Sequence, residues 1–469
     1  VVAYFTSRNS NNESFFFGNR SSNWMLVAFG MIGTSLSGVT FVSVPGAVGK
    51  EAFAYFQITL GYLIGYVVIA FVLLPLYYRL NLTSIYNYLS SRLGFASYKT
   101  GASFFILSRT LGATARLYLV VVILQNTILT ELGVPFWLTT VIILAMIMLY
   151  TYEGGVKTIV WTDTLQTTCM LAGLVICVIY ILNTMNISLG ESLQRMGEKG
   201  YSTIFFTDPD SRYFFVKQIL AGAFITVTMT GMDQEMMQKN ISVKTLPDAQ
   251  KNVITLSIIM LVVILLFLVL GGLLYLYAEQ VGVTETGDKL FPAIAMNHMP
   301  PLVSVIFIIA LISALFPSAD GAITALTSSF CIDILGMQRN QRWPEARKKK
   351  IRQMVHITFA FVFFLFVMVF YWVNQPSMIG VILKVAGYTY GPLLGLFSFG
   401  ILTKRQVNDK LVPYICVSAP VICYVLDVFQ KDIFGSFEIG LELLIINGAL
   451  TFFGLMAVSK KKTAPGQTI

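Results

Sequence analysis

Apolar stretches of about 20 residues recur along the whole chain, and they constrain its fold more than any other feature. A helix of that length crosses the ~30 Å hydrocarbon core of a bilayer. Of the 469 residues, 56% are hydrophobic and only 12% are charged, whereas soluble domains carry about 25% charged residues. The sequence therefore predicts an all-α, polytopic membrane protein. It excludes a soluble enzyme, a nucleic-acid-binding protein and a disulfide-stapled secreted domain.

Twelve membrane spans are predicted from these stretches. Residues 1–5 resemble the end of a further span, and the sequence begins without Met, so we expect thirteen helices in the intact protein. The predicted spans lie near residues 24–46, 52–78, 98–130, 134–152, 158–183, 213–238, 250–278, 300–336, 351–373, 377–402, 410–430 and 437–458.

The basic residues fall mainly in alternate loops. If residues 7–23 face the cytoplasm, the cytoplasmic loops hold 22 of the 32 Lys and Arg residues, the external loops hold 7, and three lie within spans. Cytoplasmic loops of membrane proteins carry such an excess of positive charge. The net charge of +9 is therefore explained by membrane topology, and no nucleic-acid partner is needed to account for it.

Two of the spans carry polar residues at mid-membrane depth. The first contains glycines and hydroxyl residues between Gly30 and Phe41, and the sixth contains threonines and an aspartate between Thr226 and Gln234. Helix–helix packing by small residues is one explanation. The other is a broken helix, which a membrane tolerates only where the backbone is buried in protein or lines a cavity.

The positions of these two spans favour broken helices, because they are the first and sixth of the predicted series. Broken helices at corresponding places in two halves indicate an inverted-repeat transporter with its binding site at mid-membrane depth. We predict a preceding helix and cytoplasmic loop, a first five-span repeat, an external loop, a second five-span repeat, and two additional spans. Their bounds are 1–23, 24–183, 184–212, 213–402 and 403–469.

Three motifs resemble those of the sodium/solute symporter family, which includes the sodium–glucose, proline and sialic acid symporters. They are the segments Phe16–Trp24, Gly154–Gln166 and Gly387–Pro392. The resemblance covers nearly the whole chain and implies a LeuT-type fold of five plus five inverted spans. It also implies solute uptake driven by sodium, in a multi-pass, monomeric protein of a bacterial plasma membrane.

The resemblance also suggests substrate contacts. The segment Ser35–Phe41 is most similar to the sialic acid symporters, in which the hydroxyls matching Ser35, Ser37 and Thr40 contact the solute. Alternatively, such hydroxyls bond to carbonyls of their own helix. Further contacts are predicted from uncharged polar residues on other spans, for which interhelical hydrogen bonding is the alternative. These residues are Gln57, Thr230 and Gln234.

A sodium site is implied between the first and eighth spans. By the resemblance, its ligands are the carbonyls of Gly33, Leu36 and Ala314 and the hydroxyl of Ser318. The chain departs from the family at Pro317, where relatives usually carry a second hydroxyl residue. Proline frees the carbonyl four residues earlier, so we expect the site to persist with altered ligands.

Two aspartates within spans are candidates for further cation binding, because a carboxylate inside a membrane is costly unless it is paired or liganded. Asp163 matches the carboxylate that some relatives use for a second sodium ion. Asp320 stands where relatives carry Ser or Thr. It is predicted either to bind a cation or to pair with a buried basic residue.

Three basic residues lie within spans: Arg109, Arg116 and Lys384. Arg116 matches the arginine that binds the substrate carboxylate in sialic acid symporters, and a planar guanidinium suits a carboxylate. Lys384 lies near a substrate position of sugar-transporting relatives. It is predicted to bind substrate, to pair with Asp320 or Asp163, or to extend to the outer surface.

Arg116 and Lys384 together favour a carboxylated sugar such as a sialic acid. A neutral sugar or polyol is the alternative substrate. A sodium-independent solute sensor of the same fold is the alternative function, because Pro317 alters a sodium site. An enzyme is not expected, because the two histidines are scattered and no cluster of acidic residues and histidines suits catalysis at the membrane surface.

Overall fold

Each predicted span corresponds to helical structure in the computed structural model, which describes residues 15–16, 22–82, 84–340, 342–373 and 378–461. Within them, seven helices and three bent helix pairs are long and apolar enough to cross a membrane, and two shorter apolar helices lie at the fourth and twelfth predicted spans. The expected helix before residue 6 and residues 17–21 of the first motif lie outside the described residues. So do the side chains at 154, 155 and 157 of the second motif.

The helices are α1 (Trp24–Ser35), α2 (Gly38–Glu51), α3 (Tyr55–Val68), α4 (Leu74–Arg79), α5 (Asn87–Arg92), α6 (Phe95–Leu124), α7 (Phe136–Met185), α8 (Leu189–Glu198), α9 (Phe215–Thr226), α10 (Gln234–Ile241), α11 (Leu246–Val281), α12 (Leu290–Asn297), α13 (Pro301–Ser329), α14 (Glu345–Val373), α15 (Met378–Thr389), α16 (Gly391–Leu402), α17 (Val412–Val428), α18 (Gln430–Phe434) and α19 (Leu443–Ala457). Helix α7 contains the apolar stretches of both the fourth and the fifth span.

Both predicted interruptions are breaks in the structure. The first span divides into α1 and α2 with a bend of 56°, and the sixth divides into α9 and α10 with a bend of 67°. A π-helical turn, Val227–Gly231, leads into the second break. A third bend of 45° separates α15 from α16. We did not predict it, although Pro392 next to the bend cannot donate a helix hydrogen bond.

The broken helices are surrounded by long unbroken ones. Helix α13 packs against α6 and α7, α1 packs against α7 and α11, and α9 packs against α3. The two breaks therefore lie inside the bundle, where other helices can satisfy the backbone groups that a break exposes. At one edge, strands β1 (Gln406–Val407) and β2 (Ser459–Lys460) pair antiparallel, with Gln406 opposite Lys460.

Candidate transport site

A cavity of about 100 Å³ lies beside the break of the first span. Its wall contains side chains from the first, second, third, sixth, seventh and tenth spans. Five of the eight residues that we predicted to bind substrate line it together: Ser35, Ser37, Thr40, Arg116 and Thr230. The fold therefore brings most of the predicted substrate residues to one place, and their contact with a solute stays a prediction.

The break itself makes the hydroxyls available. Helix α1 ends at Ser35 and α2 begins at Gly38, so that Leu36 and Ser37 have non-helical backbone angles. The buried Ser35 hydroxyl interacts with the Tyr66 hydroxyl of α3 and not with its own helix, and the Ser37 side chain does not cap α2. Neither hydroxyl is thus committed to its own helix in the way that serines within helices often are.

Arg116 is the charged residue of this cavity. It is half-buried on α6 and forms no ion pair or hydrogen bond with a described residue. By contrast, Arg109, seven residues earlier on the same helix, is paired with Glu235. Withdrawing a guanidinium from water without a partner is costly. An unpaired, partly buried arginine in a cavity is therefore suited to an anionic ligand.

Three tyrosines on α3 form another part of the cavity wall, and we did not predict them from the sequence. They are Tyr55, Tyr62 and Tyr66. The hydroxyls of Tyr55 and Tyr62 lie 3.2 Å apart and share a hydrogen bond. Their spacing of seven and four residues places them on one helix face, and that pattern was the available signal. Each offers an apolar ring and a polar hydroxyl to a ligand.

A larger cavity of about 430 Å³ adjoins the first on the side of the predicted external loop 184–212. The two cavities share Tyr55, Ile379 and Leu383 in their walls. The two cavities are therefore neighbours, and Tyr55 belongs to the walls of both.

Lys384 lies in the larger cavity and not beside the hydroxyls of the first span. Its ammonium is 2.7 Å from the Asp427 carboxylate, and its side chain is 59% exposed. The prediction that Lys384 pairs with Asp320 or Asp163 is therefore wrong. The observed position agrees with the other alternative, in which the lysine extends to the outer surface. Its partner belongs to α17, one of the two spans predicted to lie outside the repeats.

Gln57 and Gln234 are buried but line neither cavity. The Gln57 amide donates to the Tyr213 carbonyl at 3.1 Å and accepts from the Phe206 amide at 3.3 Å. The Gln234 side chain accepts from the Ile85 amide at 3.0 Å. Both side chains thus connect separate segments of the chain. These hydrogen bonds resemble the structural alternative, and substrate contact by the two glutamines stays a prediction.

The residues predicted to bind sodium converge where α1, α7 and α13 meet. A Cβ atom added to Gly33 would lie 3.3 Å from Pro317 and would also meet the Thr167 hydroxyl. The last carbonyls of α1 lack helical partners because the helix stops at Ser35. Pro317 lies within α13 and frees the carbonyl of Ser313. Backbone carbonyls of this kind are suitable ligands for a hard cation.

The remaining predicted sodium ligands are buried at the same junction. Leu36 and Ala314 are 1% and 0% exposed, and the Ser318 hydroxyl donates to the Leu315 carbonyl at 2.8 Å. A hydroxyl that donates one hydrogen bond still presents lone pairs to a cation. The arrangement is compatible with the predicted site, and sodium ligation by these residues stays a prediction.

Asp163 is paired with a residue that we did not anticipate. Its carboxylate lies 2.7 Å from the Lys239 ammonium, and that ammonium also donates to the Thr34 hydroxyl at 2.6 Å. We predicted Lys239 to lie in a cytoplasmic loop, but it lies on α10 and is 3% exposed. Glu235 lies one turn before Lys239 on the same face of α10. This four-residue spacing of opposite charges is typical of a helix, and it could have indicated that the helix continues through Lys239.

The same helix holds a second buried ion pair. The Arg109 guanidinium bonds to Glu235 and lies 4.0 Å from Asp233. Asp233 also accepts a hydrogen bond from the Tyr390 hydroxyl at 3.0 Å and caps the first turn of α10. These contacts link the third, sixth and tenth spans at the break of the sixth.

Asp320 accepts a 2.7 Å hydrogen bond from the Tyr150 hydroxyl. It forms no ion pair with a described residue. Among the described residues, four of the buried carboxylates therefore lie around two buried, paired cations near the break of the sixth span. The carboxylates belong to Asp163, Asp233, Glu235 and Asp320, and the cations to Arg109 and Lys239.

The model of the sodium:solute symporter family matches residues 15–410. The chain belongs to the sodium:solute symporter family. Its helical architecture agrees with a solved structure of a Na⁺-coupled sialic acid symporter in a substrate-bound outward-open state, with a TM-score of 0.84 at 18% identity. That alignment covers 98% of this chain and 96% of the other. The predicted family and the LeuT-type all-α fold are both confirmed.

Two relatives of known activity are similar along much of the chain. The sodium/sialic acid symporter SiaT of Proteus mirabilis is 22% identical over 475 residues, which cover 96% of this chain and 91% of SiaT. The mouse sodium-coupled monocarboxylate transporter 1 is 26% identical over 406 residues, which cover 83% of this chain and 64% of that transporter. As a member of this family, the chain is a multi-pass plasma-membrane protein with Na⁺ as its coupling ion.

The family assignment makes the Ser318 prediction testable. We expect Ser318→Ala to raise the sodium concentration for half-maximal uptake about tenfold, which corresponds to ~1.4 kcal/mol, because one oxygen ligand is lost. The matched control is Ser328→Ala on the same helix, since Ser328 is also buried and its hydroxyl donates to the Thr324 carbonyl at 2.8 Å. Equal sodium dependence of uptake in the two variants would show that Ser318 is not a sodium ligand.

Proposed function

We propose that this symporter imports a sialic acid or a related sugar acid together with sodium, by alternating access. The observation that carries this proposal is the Arg116 guanidinium, which has no ion-pair partner among the described residues and lies in one cavity with the hydroxyl of Ser35. A sugar acid supplies a carboxylate for the first group and hydroxyls for the second.

The chemistry of the cavity favours an acid over a neutral sugar. A guanidinium can hold a carboxylate through two parallel hydrogen bonds, whereas a neutral polyol leaves the arginine charge without a counter-ion. Two similar transporters also support an acidic substrate, since one is named for sialic acid and the other for monocarboxylates. The hydroxyls of Ser35, Ser37 and Thr40 favour a hydroxylated acid over a simple monocarboxylate.

The break in the first span offers a physical basis for coupling sodium binding to solute binding. Ser35 and Ser37 face the solute cavity, whereas Gly33, two residues earlier, lies at the proposed sodium site. A cation and a solute that bind the same short segment each favour the same backbone conformation. By thermodynamic linkage, sodium should then raise the affinity for the solute, and the solute should raise the affinity for sodium by the same factor.

The remaining features of the proposal concern transport. The larger cavity provides entry from the side of the predicted external loop, and the chain acts as a transporter and not as an enzyme. We propose a monomer in the lipid bilayer. Large apolar side chains such as Leu149, Trp372 and Phe453 are more than 60% exposed, as befits a surface in contact with acyl chains.

A thermal-shift experiment on the purified protein tests the substrate class. N-Acetylneuraminic acid, its neutral relative N-acetylmannosamine and pyruvate would each be added in sodium and again in potassium buffer. A ligand at 100 times its Kd stabilises a protein by about 2.7 kcal/mol. We expect the sialic acid to raise the melting temperature in sodium and to have much less effect in potassium. A larger shift with the neutral sugar would contradict the proposal, and a larger shift with pyruvate would indicate a monocarboxylate transporter.

A further inference from the structure

We propose that the Lys239 ammonium is the resident cation of the carboxylate site at Asp163, so that this chain binds no sodium ion there. The inference rests on the proposed function for its sodium coupling, but it concerns how many sodium ions the protein binds. It replaces our expectation that Asp163 is itself a sodium ligand.

The position of the ammonium supports this role. Its nitrogen lies 2.7 Å from one Asp163 oxygen, 2.6 Å from the Thr34 hydroxyl and 3.6 Å from a Glu235 oxygen. These are the hard oxygen donors that a monovalent metal ion would use, and they belong to three different helices. The ammonium already occupies this position and carries the same charge as a sodium ion. A sodium ion therefore cannot bind the same oxygens while the lysine is there.

The lysine is held in place by its surroundings. It lies on α10, close to the break of the sixth span, and Glu235 one turn earlier on the same face contacts its ammonium. A Cβ atom added to Gly321 of α13 would lie 3.3 Å from that nitrogen. The absence of a side chain at Gly321 leaves the space that the ammonium and the Glu235 carboxylate use. The site is closed by α1, α7 and α13 around a buried lysine.

Occupancy of the site explains why a sodium ion is not expected in place of the lysine. The Lys239 ammonium already lies between the Asp163 carboxylate and the Thr34 hydroxyl, where a sodium ion would need to bind both oxygens. Without the lysine, Asp163 would be uncompensated, and its second oxygen is already buried without a hydrogen-bond partner. The Thr167 hydroxyl, four residues later on the same face of α7, is also buried without a partner. These oxygens, with that of Thr34, would provide ligands for a sodium ion.

The test counts sodium ions bound to the purified, solute-free symporter. Binding of radiolabelled sodium would be measured for the wild type, Lys239→Met, Lys239→Arg, Asp163→Asn and the double variant Lys239→Met/Asp163→Asn. We expect Lys239→Met to bind one sodium ion more than the wild type. Lys239→Arg, which keeps the positive charge, and the double variant, which removes both charges, should bind the wild-type number.

Two results would overturn the proposal. The first is a folded Lys239→Met protein, judged by gel filtration, that binds only the wild-type number of ions. The second is the loss of one bound ion in Asp163→Asn, which would show that this carboxylate already ligates sodium. If Lys239→Met does not fold, the Asp163→Asn count decides alone, and an unchanged count supports the proposal.

The outcome is independent of the substrate assignment because no solute is present in the binding experiment. A sodium count as expected, combined with no binding of a sugar acid, would contradict the proposed function and leave the role of Lys239 intact. If a sugar acid binds but the sodium counts differ from those expected, the proposed role of Lys239 is wrong and the proposed function stands.

Discussion

Replacement of Arg116 by glutamine should abolish most transport of a sugar acid. Truncating one partner of a buried charge pair costs about 2–5 kcal/mol, which corresponds to roughly 30-fold to several-thousand-fold weaker binding. Uptake or binding of N-acetylneuraminic acid by Arg116→Gln is therefore expected to fall by at least about 30-fold. A neutral sugar analogue, which has no carboxylate to lose, should be affected much less.

The matched control is Arg116→Lys. Lysine keeps the positive charge but not the planar fork that holds both carboxylate oxygens, so this variant should bind the acid with intermediate affinity. An equal loss of acid and neutral sugar in Arg116→Gln would show that Arg116 supports the structure of the cavity without binding the carboxylate. Unchanged acid affinity in Arg116→Gln would remove the main support for an acidic substrate.

The second large effect is expected at the buried pair of Arg109 and Glu235. Arg109→Gln leaves the Glu235 and Asp233 carboxylates inside the bundle without their cation, and breaking a buried pair in this way costs about 3–5 kcal/mol. We expect a sharply lowered melting temperature of the purified protein. Adding Glu235→Gln should restore part of the loss, because one of the stranded charges is then removed.

Lys384→Gln is the control variant for Arg109→Gln. It also removes one cation from an ion pair, but the Lys384 side chain is 59% exposed, and pairs in contact with water contribute only about 0–1 kcal/mol. A melting temperature that falls no further in Arg109→Gln than in Lys384→Gln would contradict a structural role for the buried pair. Failure of the double variant to regain stability would show that the two residues do not act together.

Much of the fold could be predicted because the membrane imposes simple rules on sequence. Span length follows from bilayer thickness, and glycines with hydroxyl residues at mid-membrane depth indicated the breaks at Leu36 and near Asp233. The third bend was missed although the Tyr390-Gly391-Pro392 segment contains a residue that cannot continue the hydrogen-bonding of a helix. We interpreted that segment only as a family motif and did not consider its backbone.

The site was less predictable because ion pairs depend on which residues meet in space. The cavity hydroxyls and Arg116 could be identified, since the family resemblance fixes their positions along the chain. Lys239 was assigned to a loop because it lies one residue beyond the predicted end of the sixth span, and its partner Asp163 is 76 residues away. The Lys384–Asp427 pair was missed for the same reason, because it joins a span of the repeat to one outside it.

Uptake by proteoliposomes with an imposed sodium gradient tests the central claim most directly. The purified wild-type protein would be reconstituted, and radiolabelled N-acetylneuraminic acid would be supplied with external sodium or with external potassium. We expect accumulation above the external concentration with sodium, no accumulation with potassium, and loss of the signal in Arg116→Gln. Equal uptake in sodium and potassium, or no uptake of the acid under a sodium gradient, would contradict sodium-coupled import of a sugar acid.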